Sequence, residues 1–332
     1  MKAVILREWY PMSFAEKLIA WQRRHGRRGL PWQGTRDPYR IWLSEVMLQQ
    51  TQVSAVIPYF NRFIDKYPTV EALAAASEDD VLRLWAGLGY YARGRNLHKA
   101  ARQIAASGFP RNSLEIQNLP GVGRSTAAAI AAFAFGERAA ILDGNVKRVL
   151  ARCFGHEKDQ WALADRLLPK RDIETYTQAL MDLGATVCTR TPSCDGCPVK
   201  ARCVARKTGR IDELPAPRPR KPLPLRRVSW FVYRHQGKVL LERRPSPGIW
   251  GGLWCFPEKP LLKGTTTRLA PIEHGFTHFR LRIQPLLREA RAEGAGLWID
   301  LDDALRAAVP TPVKNLLQDL QRNATRGLRG RR

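Results

Sequence analysis

A glutamate in an apolar helix, an aspartate ahead of another helix and four closely spaced cysteines are the residues of this chain whose types and spacing could do chemistry. In IWLSEVMLQQTQVSAVIPYF, Glu45 shares a helical face with Ile41, Leu48 and Val56, which sets a carboxyl group among hydrophobic side chains. A carboxyl stripped of water keeps its proton to higher pH, so Glu45 reads as a general acid working near neutrality. A structural glutamate paired with an arginine is the competing reading. In ILDGNVKRVLARCF, Asp143 stands just ahead of a helix, where Asp commonly serves as N-cap. The helix dipole also holds that carboxylate ionised, able to face positive charge developing on a substrate.

The stretch CTRTPSCDGCPVKARC separates Cys188, Cys194, Cys197 and Cys203 by five, two and five residues. Four thiolates so close could hold a cubane iron–sulfur cluster or a tetrahedral zinc. Zinc modules usually show two pairs at two-residue spacing and this stretch has one, which favours iron–sulfur. Arg190, Lys200, Arg202, Arg206 and Lys207 surround it, as in a folded knob carrying phosphate-binding cations.

These groups need elements to position them. LPGVGRSTAAAIAAFAFG places Pro120, Gly121 and Gly123 in a tight turn before an Ala-rich helix, a helix-hairpin-helix over residues 113–135. The glycines let backbone come close to a ligand, and the first amides of the next helix lack internal partners, which suits a phosphate. In GLGYYARGRNLHKA, Tyr90 and Tyr91 sit in a Gly-rich turn beside Arg93, Arg95 and Lys99. Core packing is the competing reading for one of them; at least one is expected exposed, to stack or wedge on bases while the cations hold phosphates.

Helices are expected from Ser13 to about His25, as one long apolar helix from Tyr39 to Phe60, and then over residues 69–76, 77–85, 92–106, 161–168 and 175–187. No strand signal appears before Arg218, so the first two hundred residues read as all-helical. The Pro- and Arg-rich run 209–227 reads as an extended linker. After it VSWFVYR, KVLLERR, GIWGGLWCFP, FTHFRLRIQPLL and GLWIDL read as strand-like, followed by a last helix from Pro312 to Arg322 and a disordered basic tail.

The 332 residues carry 55 Lys and Arg against 30 Asp and Glu, a net charge of +25 that calls for a polyanionic partner, nucleic acid first. No apolar run reaches membrane-spanning length and Met1 to Leu6 is too short for a signal peptide, so a cytoplasmic protein is expected. Six cysteines, four of them crowded together, point away from a disulfide framework.

LPWQ, WLSEVMLQQTQV, GLGYYARGRNLHKAA, LPGVGRSTA, LDGNVKRVLAR and the cysteine stretch together resemble the adenine-specific, MutY-type branch of the helix-hairpin-helix DNA glycosylases. The resemblance is dense over residues 13–207 and looser beyond. It implies a multidomain protein: an all-α glycosylase domain (1–208) with a four-Cys iron–sulfur cluster at 188–203, the linker 209–227, an α+β Nudix-like domain (228–321) and the basic tail (322–332). The implied activity is hydrolysis of the N-glycosidic bond of adenine mispaired with 8-oxoguanine or guanine in duplex DNA, leaving an abasic site. A [4Fe-4S] cluster is the implied cofactor, with zinc as the lesser alternative. Duplex DNA is the partner, the protein acts as a monomer without a membrane, and the linker is where repair or replication partners would dock.

Carried over by motif, Glu45 protonates a ring nitrogen of the flipped adenine, Asp143 stabilises the sugar cation, and Asn145 lies beside it. Arg28, Leu30, Trp32 and Gln178 match the adenine pocket. Gln50 and Tyr90 match positions entering the base stack, with Gln49 and Thr51 beside Gln50. Gly121 and Gly123 belong to the DNA-binding hairpin. Ser125 stands where lyase relatives carry Lys, so no Schiff base is expected there, although Lys147 lies near Asp143. Phe276, Thr277 and His278 match the loop that meets 8-oxoguanine, with Thr where Ser is usual. The first cysteine gap is one residue shorter than the family pattern, and Glu258 to His274 is shorter than usual. Two other classes fit parts of this pattern: an endonuclease III-like glycosylase/lyase acting on oxidised pyrimidines, and a non-catalytic iron–sulfur DNA-binding protein.

Overall fold

The computed structural model describes residues 11–155, 158–217, 222–294 and 296–329, with side chains from residue 14 to 322. Met1 to Leu6, linker residues 218–221 and the last three tail residues lie outside these. Two compact units form, Met1–Ala74 with Lys99–Pro219 and Ala75–His98 with Arg220–Arg332. Helices α1 (Pro11–His25), α2 (Pro38–Leu48), α3 (Val53–Lys66) and α4 (Val70–Ala75) open the first unit. The second takes α5 (Glu78–Trp85) and the start of α6 (Tyr91–Ser107). The rest of α6, α7 (Ser113–Ile116), α8 (Arg124–Phe135), α9 (Gly144–Phe154), α10 (Gln160–Leu167), α11 (Ile173–Asp182) and α12 (Val204–Lys207) return to the first. No helix among the described residues is long and apolar enough to cross a membrane.

Asp37 caps α2 by accepting from Tyr39 N at 2.9 Å, with Pro38 at the first helical position, and the helix buries Ile41, Trp42, Leu43, Val46 and Met47. The single helix expected from Tyr39 to Phe60 is broken: α2 stops at Leu48, Gln50 adopts a φ of 57°, and α3 begins after Gln52. The run from Gln49 to Gln52 at the break is polar. The Gln49 amide is drawn to Gly121 O at 3.2 Å and Thr126 Oγ1 at 3.3 Å. Val56 is therefore buried from a different helix than Glu45.

The hairpin forms as expected, with Gly121 at φ 79° where only glycine is unstrained. Alanines 127–132 of α8 contain five small side chains and Ile130, all buried, which lets α2 and α7 pack closely on it. Asp143 caps α9, its Oδ1 accepting from Val146 N at 2.8 Å. Leu18, Leu142, Val146, Leu150, Tyr176 and Leu180 share one core. Helix α11 widens into a π-helical turn, Leu183–Val187, that delivers the chain to Cys188. Gly184 lies so near α9 that a Cβ there would come within 2.7 Å of Asn145 Cβ.

In the second unit a mixed sheet has the order β3-β2-β1-β6-β4, with β5 also on β6 and β7 also on β2. Its members are β1 (Leu225–His235), β2 (Lys238–Arg243), β3 (Trp254–Cys255), β4 (Thr266–Arg268), β5 (Ile272–Gly275), β6 (Arg280–Glu289) and β7 (Leu297–Asp300). The central β1 and β6 run parallel, Leu225 opposite Arg280. Three expected strands shrink or shift. In GIWGGLWCFP only Trp254 and Cys255 pair, because Trp250 and Gly252 take positive φ and fold the stretch into a loop. FTHF is a turn closed by Phe276 N to Phe279 O at 2.9 Å, so β6 starts at Arg280. Strand β1 begins at Leu225, inside the expected linker. After α13 (Leu301–Arg306), α14 (Thr311–Arg329) places Val313, Leu316, Leu317 and Leu320 in the sheet's core and runs past the expected end at Arg322. The tail's first residues thus continue the helix, since Asn, Ala, Thr and Arg supply no breaker before Gly327.

Candidate active site

A cavity of about 650 Å³, within the range of small-molecule pockets, opens in the first unit. Helix α2 contributes Ile41, Ser44 and Glu45, α8 contributes Phe133, α11 contributes Gln178, and Arg27, Arg28 and Trp32 come from the loop after α1. Trp32 is held in place by an edge-on contact with Phe60, 5.3 Å between centroids. Of the residues expected in a base pocket, Arg28, Trp32 and Gln178 line this cavity. Leu30 does not. Its N–H donates to Gln33 Oε1 at 3.2 Å and its carbonyl accepts from Gln33 N at 2.8 Å, so Leu30 serves the turn that carries Trp32.

Glu45 is half-buried on α2 and lines the cavity. Burial, with the negative charge of Asp143 adding to it, pushes its carboxyl up to about 8. At neutral pH Glu45 is therefore an acid with its proton in place. Asp143 does not line the cavity, but it lies near enough for Glu45 to feel its charge. Of the two readings of Asp143 the cap is the one observed, its Oδ1 accepting from Val146 N at 2.8 Å. Ser125 Oγ accepts from Leu142 N at 2.9 Å, so the hydroxyl ties the hairpin to the strand of chain entering Asp143. Lys147 is exposed, one turn into α9, its N–H donating to Asp143 O at 2.9 Å.

Several residues that sequence reasoning passed over are central here. Arg148 Nη2 donates to Asn145 Oδ1 at 2.9 Å and Gly184 O at 2.7 Å, and its Nε donates to Cys188 O at 2.8 Å, joining the start of α9 to the cysteine loop. Its place one turn after Asn145 was the available signal. Buried Arg152 donates to Thr189 O at 2.6 Å, Arg190 O at 3.1 Å, Leu214 O at 2.8 Å and Cys188 Sγ at 3.7 Å. Asp182, fully buried behind the cavity, accepts from Gln22, Arg27 and Gln178. No motif announced it.

Cys188, Cys194, Cys197 and Cys203 ring one small cavity, and Cys153 of α9 reaches it as a fifth thiol. Among the described residues no three His, Cys, Asp or Glu side chains gather closely enough to grip a single ion. Four thiols around one cavity supply the donor set that either a cubane cluster or a tetrahedral zinc takes.

Gln50 and Tyr90 are both exposed and both hold a left-handed backbone, φ 57° and 49°. Thr51 Oγ1 donates to Gln49 O at 3.3 Å within the same turn as Gln50. Tyr91 packs inward at the start of α6, so one tyrosine of the pair is covered and one presented. In the second unit Phe276 stacks on Phe279 at 4.4 Å and packs against Trp250 at 5.6 Å, which fixes the turn that exposes Thr277 and His278. Tyr90 Oη and Thr277 Oγ1 are 3.2 Å apart.

Residues 43–170 match the family model described as HhH-GPD superfamily base excision DNA repair protein, and residues 229–319 match the NUDIX domain. An adenine DNA glycosylase of Buchnera aphidicola (from Acyrthosiphon pisum) is 34% identical, covering 93% of this chain and 98% of its own length. The human adenine DNA glycosylase is 31% identical, covering 93% of this chain and 74% of its own. Among solved structures, a thermostable thymine-DNA glycosylase is similar with a TM-score of 0.55 and 31% identity, over 59% of this chain and 95% of that one. Endonuclease III in a non-covalent DNA complex shares the fold, with a TM-score of 0.52, 23% identity and 59% and 94% coverage. An acid on a cavity wall, an aspartate capping α9, the hairpin and the Nudix-like sheet are thus features of a chain that belongs to the adenine DNA glycosylase family.

Proposed function

We propose that the protein hydrolyses the N-glycosidic bond of adenine mispaired with 8-oxoguanine, or with guanine, in duplex DNA and leaves an abasic site without cutting the strand. The observation that carries this reading is Glu45, protonated near neutrality on the wall of a cavity that also presents Trp32 and Gln178. Extruded adenine enters that cavity, and Glu45 gives its proton to a ring nitrogen as the bond to the sugar breaks. The electron pair leaves with the base, and the cationic sugar is faced by the Asp143 carboxylate, which the α9 amide holds in place. Water adds to the sugar carbon and passes its extra proton to bulk solvent, completing hydrolysis.

Strand cleavage through a Schiff base needs an amine; Ser125 offers a hydroxyl already bonded to Leu142 N. Gly121, Gly123 and the first amides of α8 suit a DNA phosphate, with Gln49 bracing the turn. Gln50 and Tyr90, exposed on strained backbone, are suited to enter the base stack. Phe276, Thr277 and His278 form the proposed reader of 8-oxoguanine. Cys188, Cys194, Cys197 and Cys203 would hold a [4Fe-4S] cluster, which fastens the loop as a rigid, basic knob.

Purified protein incubated with duplexes carrying adenine opposite 8-oxoguanine, guanine or thymine tests the reading. Strand breaks should appear after alkali only, fastest opposite 8-oxoguanine, with no borohydride-trapped adduct above trace. An unchanged duplex, or cleavage without alkali, would exclude it.

A further inference from the structure

The cavity wall behind Gln178 is organised by a carboxylate that does not itself touch the cavity. Asp182 Oδ1 accepts from Arg27 Nε at 2.8 Å and Gln178 Nε2 at 2.8 Å, with Arg27 Nη2 at 2.6 Å. Its Oδ2 accepts from Gln22 Nε2 at 2.9 Å and Arg27 N at 2.8 Å. A carboxylate only accepts, so each glutamine beside it must turn its NH2 inward and its carbonyl oxygen away. Gln22 shows how firmly this is imposed: its Oε1 is buried without a partner, yet the reverse orientation would set oxygen against oxygen.

Resting on the adenine reading above, we infer that Asp182 is a positioning residue for base choice: by fixing the amide of Gln178, it makes the cavity offer a hydrogen-bond acceptor and so select a 6-amino purine over a 6-oxo purine. Gln178 lines the cavity and Asp182 does not; one hydrogen of the Gln178 NH2 is taken by Asp182, which holds the amide carbonyl oxygen on the side away from the carboxylate, with the second N–H beside it. The exocyclic NH2 of adenine donates to that oxygen. The O6 of hypoxanthine or guanine would meet it lone pair to lone pair, and a polar group left unpaired in such a site rejects the wrong ligand strongly. A free glutamine would rotate and accept either base. The carboxylate at its back removes that freedom.

Single-turnover release of adenine, hypoxanthine and unsubstituted purine from the same duplex context separates this from a structural role. The wild type should rank adenine first and hypoxanthine last. In Asp182→Asn, whose amide can meet Gln178 with either end, the adenine-to-hypoxanthine ratio should fall at least about tenfold. Gln178→Met, which leaves Asp182 and its Arg27 pair intact, should collapse the ratio likewise, and a ratio kept in that variant overturns the inference even if Asp182→Asn does not fold. Equal slowing of all three bases, with the ratio kept in the folded variants, overturns the inference alone. A wild type that releases no adenine from any duplex overturns both it and the function it rests on.

Discussion

Asp143 carries two roles that a single substitution can pull apart. Asn caps a helix about as well as Asp, so Asp143→Asn should keep the bond to Val146 N and melt within about 0.5 kcal/mol of wild type. It lacks the charge, and adenine release should fall by about 100-fold or more while duplex binding persists. Full activity in that variant would reduce Asp143 to a cap. Glu45 has a stability signature as well as a catalytic one. Its carboxyl rises from 4.5 to about 8 on folding, so the folded state keeps a proton that the unfolded chain has lost. Stability from this group is complete below pH 4.5 and is lost as pH climbs to about 8, an effect of up to roughly 5 kcal/mol. Glu45→Gln should therefore melt above wild type at pH 8 and level with it at pH 4, measured by thermal unfolding.

Among the elements, those with strong end signals were legible. Asp143 before α9, Ser77 before α5 and the LPGVG turn each satisfy backbone donors locally, and sequence carries that information. The break after Leu48 was not legible, because apolar periodicity runs on either side of it and the pull on Gln49 comes from the distant Gly121. Leu30 was carried to the pocket by the motif it shares with Trp32, and a motif does not reveal that its backbone closes a turn with Gln33. The Ala-rich α8 is a packing statement: Ala129 and Ala131 are wholly buried where helices press together. Ala129→Leu should destabilise by about 1–3 kcal/mol through overpacking, read from denaturant unfolding, whereas a loosely packed hairpin would absorb the side chain.

At the scale of the molecule, composition foretold a nucleic-acid partner and the change from helix to strand near the linker marked the second domain. That residues 75–98 belong with the sheet was hidden, because they read as one more helix pair. Only tertiary contacts reveal it, among them Leu82 in the sheet's core and Trp254 Nε1 donating to Asp79 at 3.0 Å. The net charge of +25 has its own consequence. Binding to undamaged duplex should weaken by at least about tenfold between 50 and 200 mM salt, as expected when several phosphates are neutralised; a salt-insensitive affinity would mean the basic surface does not meet DNA.

The pH dependence of single-turnover adenine release, in wild type and Glu45→Gln, bears most directly on an acid held protonated by burial. Wild-type rates should stay level through neutrality and fall about tenfold per pH unit above about 8, while Glu45→Gln should be at least about 100-fold slower with that limb gone. A Glu45→Gln protein working at the wild-type rate, or a falling limb that survives the substitution, would contradict the assignment.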